Sequence, residues 1–488
     1  MAEIVVIGAG IGGIASATYL ADAGHEVTVL EKNEQLGGRA SVLERDGFRF
    51  DMGPSWYLMP DVFERYFGQL DSHPGEWYDL EPLDPHYRLF FKDGDRIDIG
   101  DELDSVKSTF ERYQTGAGEK LDDYLRHAEM SYEVGMEHFV YTDRSRFRDY
   151  LDWTVAKQAR GLGLLGSMQG HVEEYFTEPK LQQIIQHSLV FLGGSPSNTP
   201  ALYNLMAHVD LNLGVFYPEG GIASVIDGLV GLAQSKGAHF ITETTVEHIG
   251  GERGAFEVIT REGGPVSADI VVSNADYAHT EQELLPPTRR RYGSGYWSSR
   301  TLAPSAFLLY LGVEGSLDPI YHHTLVLPTD WSAHFDSIFN GRTWPADPAY
   351  YICHPSMTDP DVAPAGHEAL FVLVPIAPGL EDDLETRHAF RDKILDDIER
   401  HTSVRLRDRI VLEEHFAVSD FASRYNAQEG TALGLAHTLR QTGPFRPDHR
   451  SSRVDGLYFT GGDTRPGIGM PMCLISAEHV AKAIEEDR

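Results

Sequence analysis

The residues placed to do chemistry begin at the N-terminus, where Gly8, Gly10, Gly12 and Gly13 follow the apolar run Ile4-Val5-Val6-Ile7 and Glu31 closes a second run, Glu26-Val27-Thr28-Val29-Leu30. A Gly-x-Gly-x-x-Gly turn between a strand and an alanine-rich helix, with an acid roughly twenty residues on, is the pattern of a strand-turn-helix-strand unit that holds a dinucleotide. Its chemistry is that of the backbone. Gly8 permits the tight turn, Gly10 lets the chain approach a pyrophosphate, and Gly13 lets helix 14–23 lie close on the sheet. Phosphates then meet the free N–H groups and positive dipole end of that helix. The Glu31 carboxylate can accept both hydroxyls of an adenosine ribose and disfavours a 2′-phosphate, which argues against NADP. Lys32 follows directly and is counted with the site.

A second group is Gly37-Gly38-Arg39. Its glycines again allow close backbone approach, and the arginine can pair with a phosphate or brace the loop around it. A dehydrogenase that uses only NAD has no need of this element, so it moves the expected dinucleotide from NAD to FAD. A third group is Asp51-Met52-Gly53-Pro54-Ser55, and the fourth closes the chain: an apolar run 457–459, then Gly461-Gly462-Asp463, a glycine loop to Gly469 and Met470, and a helix from about Cys473 to Glu485. Asp463 can bond ribityl hydroxyls or, through water, the pyrophosphate. The N-terminus of the closing helix suits the electron-rich end of a flavin. Val246 and Asn274, on strand candidates 245–249 and 268–275, complete the expected cofactor-binding set.

These groups need scaffolding. Strands at 239–241, 245–249 and 268–275 are expected in one nucleotide-binding sheet, making that domain discontinuous: 1–75, 218–285 and 425–488. Residues 61–99 read as short strands and turns, with a hairpin over 87–96. Residues 104–217 form a helical block, with Leu121, Tyr124, Leu125 and Ala128 at helical spacing. Within it, 161–166 and 189–194 are apolar stretches softened by glycine, suited either to ordinary helix packing or to lining the mouth of a site for a greasy substrate. A second mixed block, 76–103 with 286–424, carries strand candidates at 306–312 and 370–374 and a helix around 388–400. The fold class expected is α/β, Rossmann-like, with a mixed-sheet substrate domain and a helical domain.

Composition excludes several functions. Asp and Glu outnumber Lys and Arg 74 to 41, a formal charge of −33 that repels nucleic acid. An acid-rich, lysine-poor chain suits a salt-saturated cytoplasm and points to a halophilic source. Cys353 and Cys473 stand far apart without a partner motif, so neither a disulfide framework nor a zinc site is expected. No metal is expected at all. The N-terminus enters a strand almost at once, and no apolar run approaches the ~18 residues of a membrane span. The expectation is a cytoplasmic protein.

Together, Gly8-x-Gly10-x-x-Gly13 with Glu31, Gly37-Gly38-Arg39, Asp51-x-Gly53-Pro54 and the closing Gly-Gly-Asp-Thr-Arg-Pro-Gly-Ile-Gly-Met-Pro-Met resemble the flavin-dependent carotenoid desaturases of the bacterial and archaeal phytoene desaturase family, over the whole length. One departure is Arg465, where members commonly carry histidine. The resemblance implies FAD, an amine-oxidase-type fold and a helical domain that meets a membrane surface. It implies an apolar carotenoid substrate drawn from the bilayer through peripheral contact, with oxygen or a quinone as electron acceptor. Its chemistry would be hydride transfer from an allylic carbon to the flavin, followed by proton loss from the adjacent carbon. Substrate candidates are phytoene, or a lycopene-derived chain at C3–C4. Other readings left open are a carotene isomerase, an amine-oxidase-type flavoenzyme and a non-catalytic prenyl-lipid-binding relative. The sequence names no catalytic residue and no oligomeric state.

Overall fold

The computed structural model describes residues 1–143, 166–189, 193–438 and 440–488. Most of the two glycine-softened apolar stretches, 161–165 and 190–192, therefore lies outside the described residues. Five parallel strands form the first sheet, in the order Leu457–Phe459, Ile270–Ser273, Glu3–Ile7, Glu26–Leu30, His239–Ile241. Parallel strands need both faces covered, and they read as near-continuous apolar runs for that reason. Helix Ile11–Asp22 packs between the closing helix Met470–Glu486 and helix Ile222–Ser235. Ile14, Leu20, Val225, Leu229, Leu474 and Val480 are buried in their shared core.

The second sheet has seven strands, in the order Ile410–Phe416, Ser305–Glu314, His367–Ile376, Tyr350–Cys353, His323–Leu327, Tyr87–Phe91, Arg96–Ile99. Every pairing is antiparallel except Tyr87–Phe91 with His323–Leu327. The expected hairpin thus forms its edge, turning at Gly94 with φ +94°. The helical block supplies helices Leu103–Tyr113, Ala117–Gly135, Met168–Tyr175, Pro179–Gln186 and Leu205–Leu211. Leu121, Tyr124, Leu125 and Ala128 all point into its core.

Two expectations fail. Residues 61–68 are not strand and turn but part of helix Pro60–Gly68, whose Val62, Phe63, Tyr66 and Phe67 are buried one helical turn apart. Pro60 pre-sets the first turn and has no N–H to leave unpaired. Strand Val246–Gly250 is also not part of the parallel sheet. It pairs antiparallel with Phe256–Thr260, which pairs with Gly264–Ala268, so that 246–268 is a separate meander.

Asp51 ends the strand Phe48–Asp51, which pairs only with Val42–Arg45, and ties that hairpin to helix Ile222–Ser235. Its carboxylate accepts the backbone N–H groups of Ile222 at 2.9 Å and Ala223 at 3.2 Å, capping a helix that has no side-chain cap of its own. Burial pushes its pKa up to about 6, against the pull of those two N–H groups. An unfolded aspartate titrates near ~3.9, so between that pH and about 6 the folded chain binds the extra proton, and stability falls as pH rises through this window. Asp51→Asn should remove this component. Urea midpoints across a pH series should show the wild type losing ground to the variant from pH ~4 to ~6 and holding a constant gap above it; parallel curves would refute the assignment.

Candidate functional site

One cavity of ≈ 700 Å³ runs between the two sheets. Its first half is a cradle of backbone. The helices Ile11–Asp22 and Met470–Glu486 both open onto it, through Gly10 and Gly469, and neither has a side-chain cap. Two sets of unpaired N–H groups and two positive dipole ends therefore face one space, which is a site for anions.

Glycine makes the cradle possible. The 37–38 loop crosses the 8–13 turn as a single parallel bridge, Gly10 to Gly37, with the Gly37 N–H donating to the Ala9 carbonyl at 2.8 Å. A Cβ on Gly38 would stand 3.1 Å from the Gly10 Cα, one on Gly53 2.6 Å from the Arg39 carbonyl oxygen, and one on Gly13 2.1 Å from the Gly8 carbonyl oxygen. Asn274 locks the group from beneath. Its Nδ2 donates to the Gly8 carbonyl at 3.3 Å, and its amide fills the space that side chains on Gly10, Gly12 or Gly461 would need.

The cavity lining holds all of the expected cofactor-binding set except Gly13, which serves packing beneath it: Gly8, Gly10, Gly12, Glu31, Lys32, Gly37, Gly38, Arg39, Gly53, Pro54, Ser55, Val246, Asn274, Asp463, Gly469 and Met470. Several are already engaged. Glu31 accepts from the Ala9 N–H at 2.8 Å and from the backbone and side chain of Asn33, each at 2.9 Å. It holds the glycine turn as well as facing the cavity. Lys32 reaches away, to the Ser423 carbonyl at 2.6 Å and Asn426 Oδ1 at 3.0 Å. Asp463 accepts from the Leu435 N–H at 2.9 Å, across Gly434, whose φ of +90° brings its backbone against the carboxylate. Asp276 stands near Asp463, and burial together with that neighbour pushes its carboxyl up to about 7. Arg39 lies over the Tyr425 ring, its Nε buried with no hydrogen-bond partner among the described residues.

The second half of the cavity is apolar. Trp56, Leu58 and Met59 line it from one side, Met136, Phe139, Leu205 and Met206 from the helical block, and Ala306, Leu308 and Leu373 from the seven-stranded sheet. Among the described residues this stretch presents no Asp, Glu, Lys or Arg. Where the halves meet, Arg465 is buried and paired with Asp143 at 3.0 Å and Asp448 at 2.9 Å. Beside it, His437 packs on Gly467 and bonds the Tyr203 hydroxyl. Cys473 is held up to about 12 by burial and is a neutral thiol. The sequence reading missed Trp56, Tyr203 and His437. They come from segments with no common spacing, and only the fold brings them together.

The flavin containing amine oxidoreductase family model matches residues 11–485. The chain is 61% identical over 99% of its length, and 98% of the other's, to a carotenoid 3,4-desaturase of Haloarcula japonica. It is 33% identical to a zeta-carotene-forming phytoene desaturase of Myxococcus xanthus, over 99% of this chain and 93% of that one. In structure it is similar to an oxidoreductase from Methanosarcina mazei, with a TM-score of 0.64 at 18% identity, over 98% of this chain and 99% of that one. Putrescine oxidase superposes with a TM-score of 0.63 at 14% identity, over 99% of both chains.

Gly13→Ala tests the cradle. Its methyl group meets backbone that cannot move without opening the turn, an overpacking of about 1–3 kcal/mol or more, so both melting temperature and bound flavin per chain should fall. Gly68→Ala, where nothing lies within 4 Å of the new methyl, should leave both unchanged; equal behaviour of the two variants would contradict the packing described.

Proposed function

The chain belongs to the flavin containing amine oxidoreductase family, and from that premise we propose that it is an FAD-dependent carotenoid desaturase acting at the C3–C4 bond of a long polyene in carotenoid biosynthesis. The likeness to the Haloarcula japonica desaturase, nearly twice the identity shared with the Myxococcus xanthus phytoene desaturase, favours this bond over the earlier desaturations of phytoene. The observation that carries the substrate class is the charge-free half of the cavity. An amine needs polar anchoring, and a hydrocarbon does not.

FAD fits the donor set. Glu31 would face the ribose, the N–H groups after Gly10 the pyrophosphate, and Arg39, whose Nε has no hydrogen-bond partner among the described residues, would brace the Gly37-Gly38 loop against it. Asp463 and the N-terminus at Gly469 and Met470 would face the flavin half. When bound, FAD supplies the two-electron acceptor that removal of hydride from an allylic carbon requires. The chain's own part is to align the polyene along Trp56, Met136 and Leu308 and to keep water out.

A hydrocarbon this insoluble is collected at a lipid surface, and the protein contacts that surface peripherally: among the described residues no helix is long and apolar enough to cross a membrane. A charge of −33 opposes anionic lipid, so apolar burial and salt screening must support the contact. Oxygen or a quinone completes the cycle as electron acceptor.

The test is expression in hosts accumulating either phytoene or lycopene-type chains, followed by chromatography and mass of the pigments. The expected product of the lycopene-type host is lighter by two hydrogen atoms and absorbs further to the red, with phytoene unchanged. Conversion of phytoene would reassign the step, an isomer of unchanged mass would indicate isomerisation, and amine turnover with peroxide release and no pigment change would remove the reading.

A further inference from the structure

Behind the apolar wall of the cavity stand three side chains with soft ligand atoms. His323 and Cys353 are direct partners on adjacent antiparallel strands, which places both side chains on one face of the sheet. His322 immediately precedes its strand, and its ring meets that of His323 edge-on at 4.6 Å. All three are buried, and a ring nitrogen of each histidine and the Cys353 sulfur lie within 4.8 Å of one another. None of them lines the cavity, but the Trp56 ring, which does, stacks on His323 at 4.2 Å with 7° between the planes.

Each ring is anchored through one nitrogen. His322 Nδ1 bonds Thr358 Oγ1 at 2.6 Å and His323 Nδ1 bonds Tyr351 Oη at 2.7 Å, while Nε2 of each ring is buried with no hydrogen-bond partner among the described residues. Burial holds both rings below the ordinary histidine range, so each is neutral and carries one hydrogen. Placed on Nδ1, where an oxygen receives it, that hydrogen leaves a lone pair on each Nε2. Tyr351 can pass its own hydrogen on to Ser55 at 2.9 Å. The Cys353 thiol has a single hydrogen and can serve one ring at most, so hydrogen bonding inside the cluster leaves a buried acceptor unmet, which is costly. A cation accepts from all three atoms at once. A ring fixed through its far nitrogen is also how metal-binding histidines are oriented.

We propose that His322, His323 and Cys353 bind one copper(I) ion through the two Nε2 atoms and the sulfur. Thiolate and imidazole form a soft ligand set. One thiolate balances one monovalent charge, which leaves a neutral complex in buried surroundings, whereas zinc(II) in this three-membered cluster has a net positive charge and no fourth protein ligand. Asp51, whose charge reaches Cys353, is committed to the Ile222 and Ala223 N–H groups. Binding replaces the S–H bond by a sulfur–copper bond; the proton leaves to solvent, and no electron moves. A second cluster, Asp143 with His449 and His479, has Arg465 on its carboxylate, and that cation opposes another. Copper at the first cluster fixes His323 and, through the stacked rings, holds Trp56 in the cavity wall. This site is independent of the FAD cradle and does not rest on the desaturase reading.

The FAD-loaded enzyme, stripped of metal, is titrated anaerobically with copper(I) against a chromophoric copper(I) chelator, and metal per chain is measured after gel filtration. Wild type should retain one equivalent, melt at a higher temperature with it than without, and show one sulfur and two imidazole nitrogens by X-ray absorption at the copper edge. Thr358→Val removes the partner of His322 Nδ1 from outside the cavity, and should weaken copper binding about tenfold to a hundredfold with flavin content unchanged. Cys353→Ser should no longer retain the ion, and Cys473→Ala should keep it. Should Cys353→Ser fail to fold, the absorption spectrum of wild type and the Thr358→Val titration still decide. No retained copper, copper without a sulfur ligand, equal retention by Cys353→Ser, or retention of zinc(II) in preference would each overturn the assignment.

Discussion

The cradle depends on one close approach. The 8–13 turn, the 37–38 loop and the strand leaving Asp51 pass within van der Waals contact of one another at glycine, and Asn274 fills what space remains beneath the turn and Gly461. Close packing of backbone on backbone leaves no tolerance for a methyl group. That contact lets two helices from opposite ends of the chain aim their N-termini into one space. The ligand-facing surface is therefore built mostly of N–H groups, whose positions are fixed by the fold and not by rotamers. Side chains such as Glu31, Arg39 and Asp463 act around this frame and are themselves held by hydrogen bonds or ring contacts to it.

How much of this could be read from the sequence follows from the same fact. A backbone that must bend or touch demands glycine at fixed spacing, so the cradle was legible over a span of more than four hundred residues. The parallel strands announced themselves as apolar runs. Helix Pro60–Gly68 did not, because it is short and its buried pairs are followed by turn residues. Val246–Gly250 was recognisable as a strand but not as part of a separate meander, since local alternation says nothing of which neighbour accepts the hydrogen bonds. Lys32 shows the limit for side chains: its type suits a phosphate, while its position commits it to Ser423 and Asn426. Tyr203 and His437 belong to segments whose meeting only tertiary packing decides.

Charge is distributed to match. The surplus of acids gives the chain a formal charge of −33, while the stretch of cavity beyond the cradle carries no charged side chain among the described residues. Where a cation must be buried at the junction, Arg465 is neutralised by two carboxylates and so offers little field to the space beside it.

The discontinuity of the parallel sheet sets an order of assembly during synthesis. Its edge strand Leu457–Phe459 and the helix Met470–Glu486, which supplies half of the cradle, are made more than four hundred residues after the glycine turn. Until then the glycine turn, already complete near the N-terminus, faces solvent with its helix unburied on one side. A closure this long is slow because its entropy must be lost before any contact rewards it. The cradle is accordingly complete only once both of its distant halves have been made, whereas every strand of the seven-stranded sheet precedes residue 417.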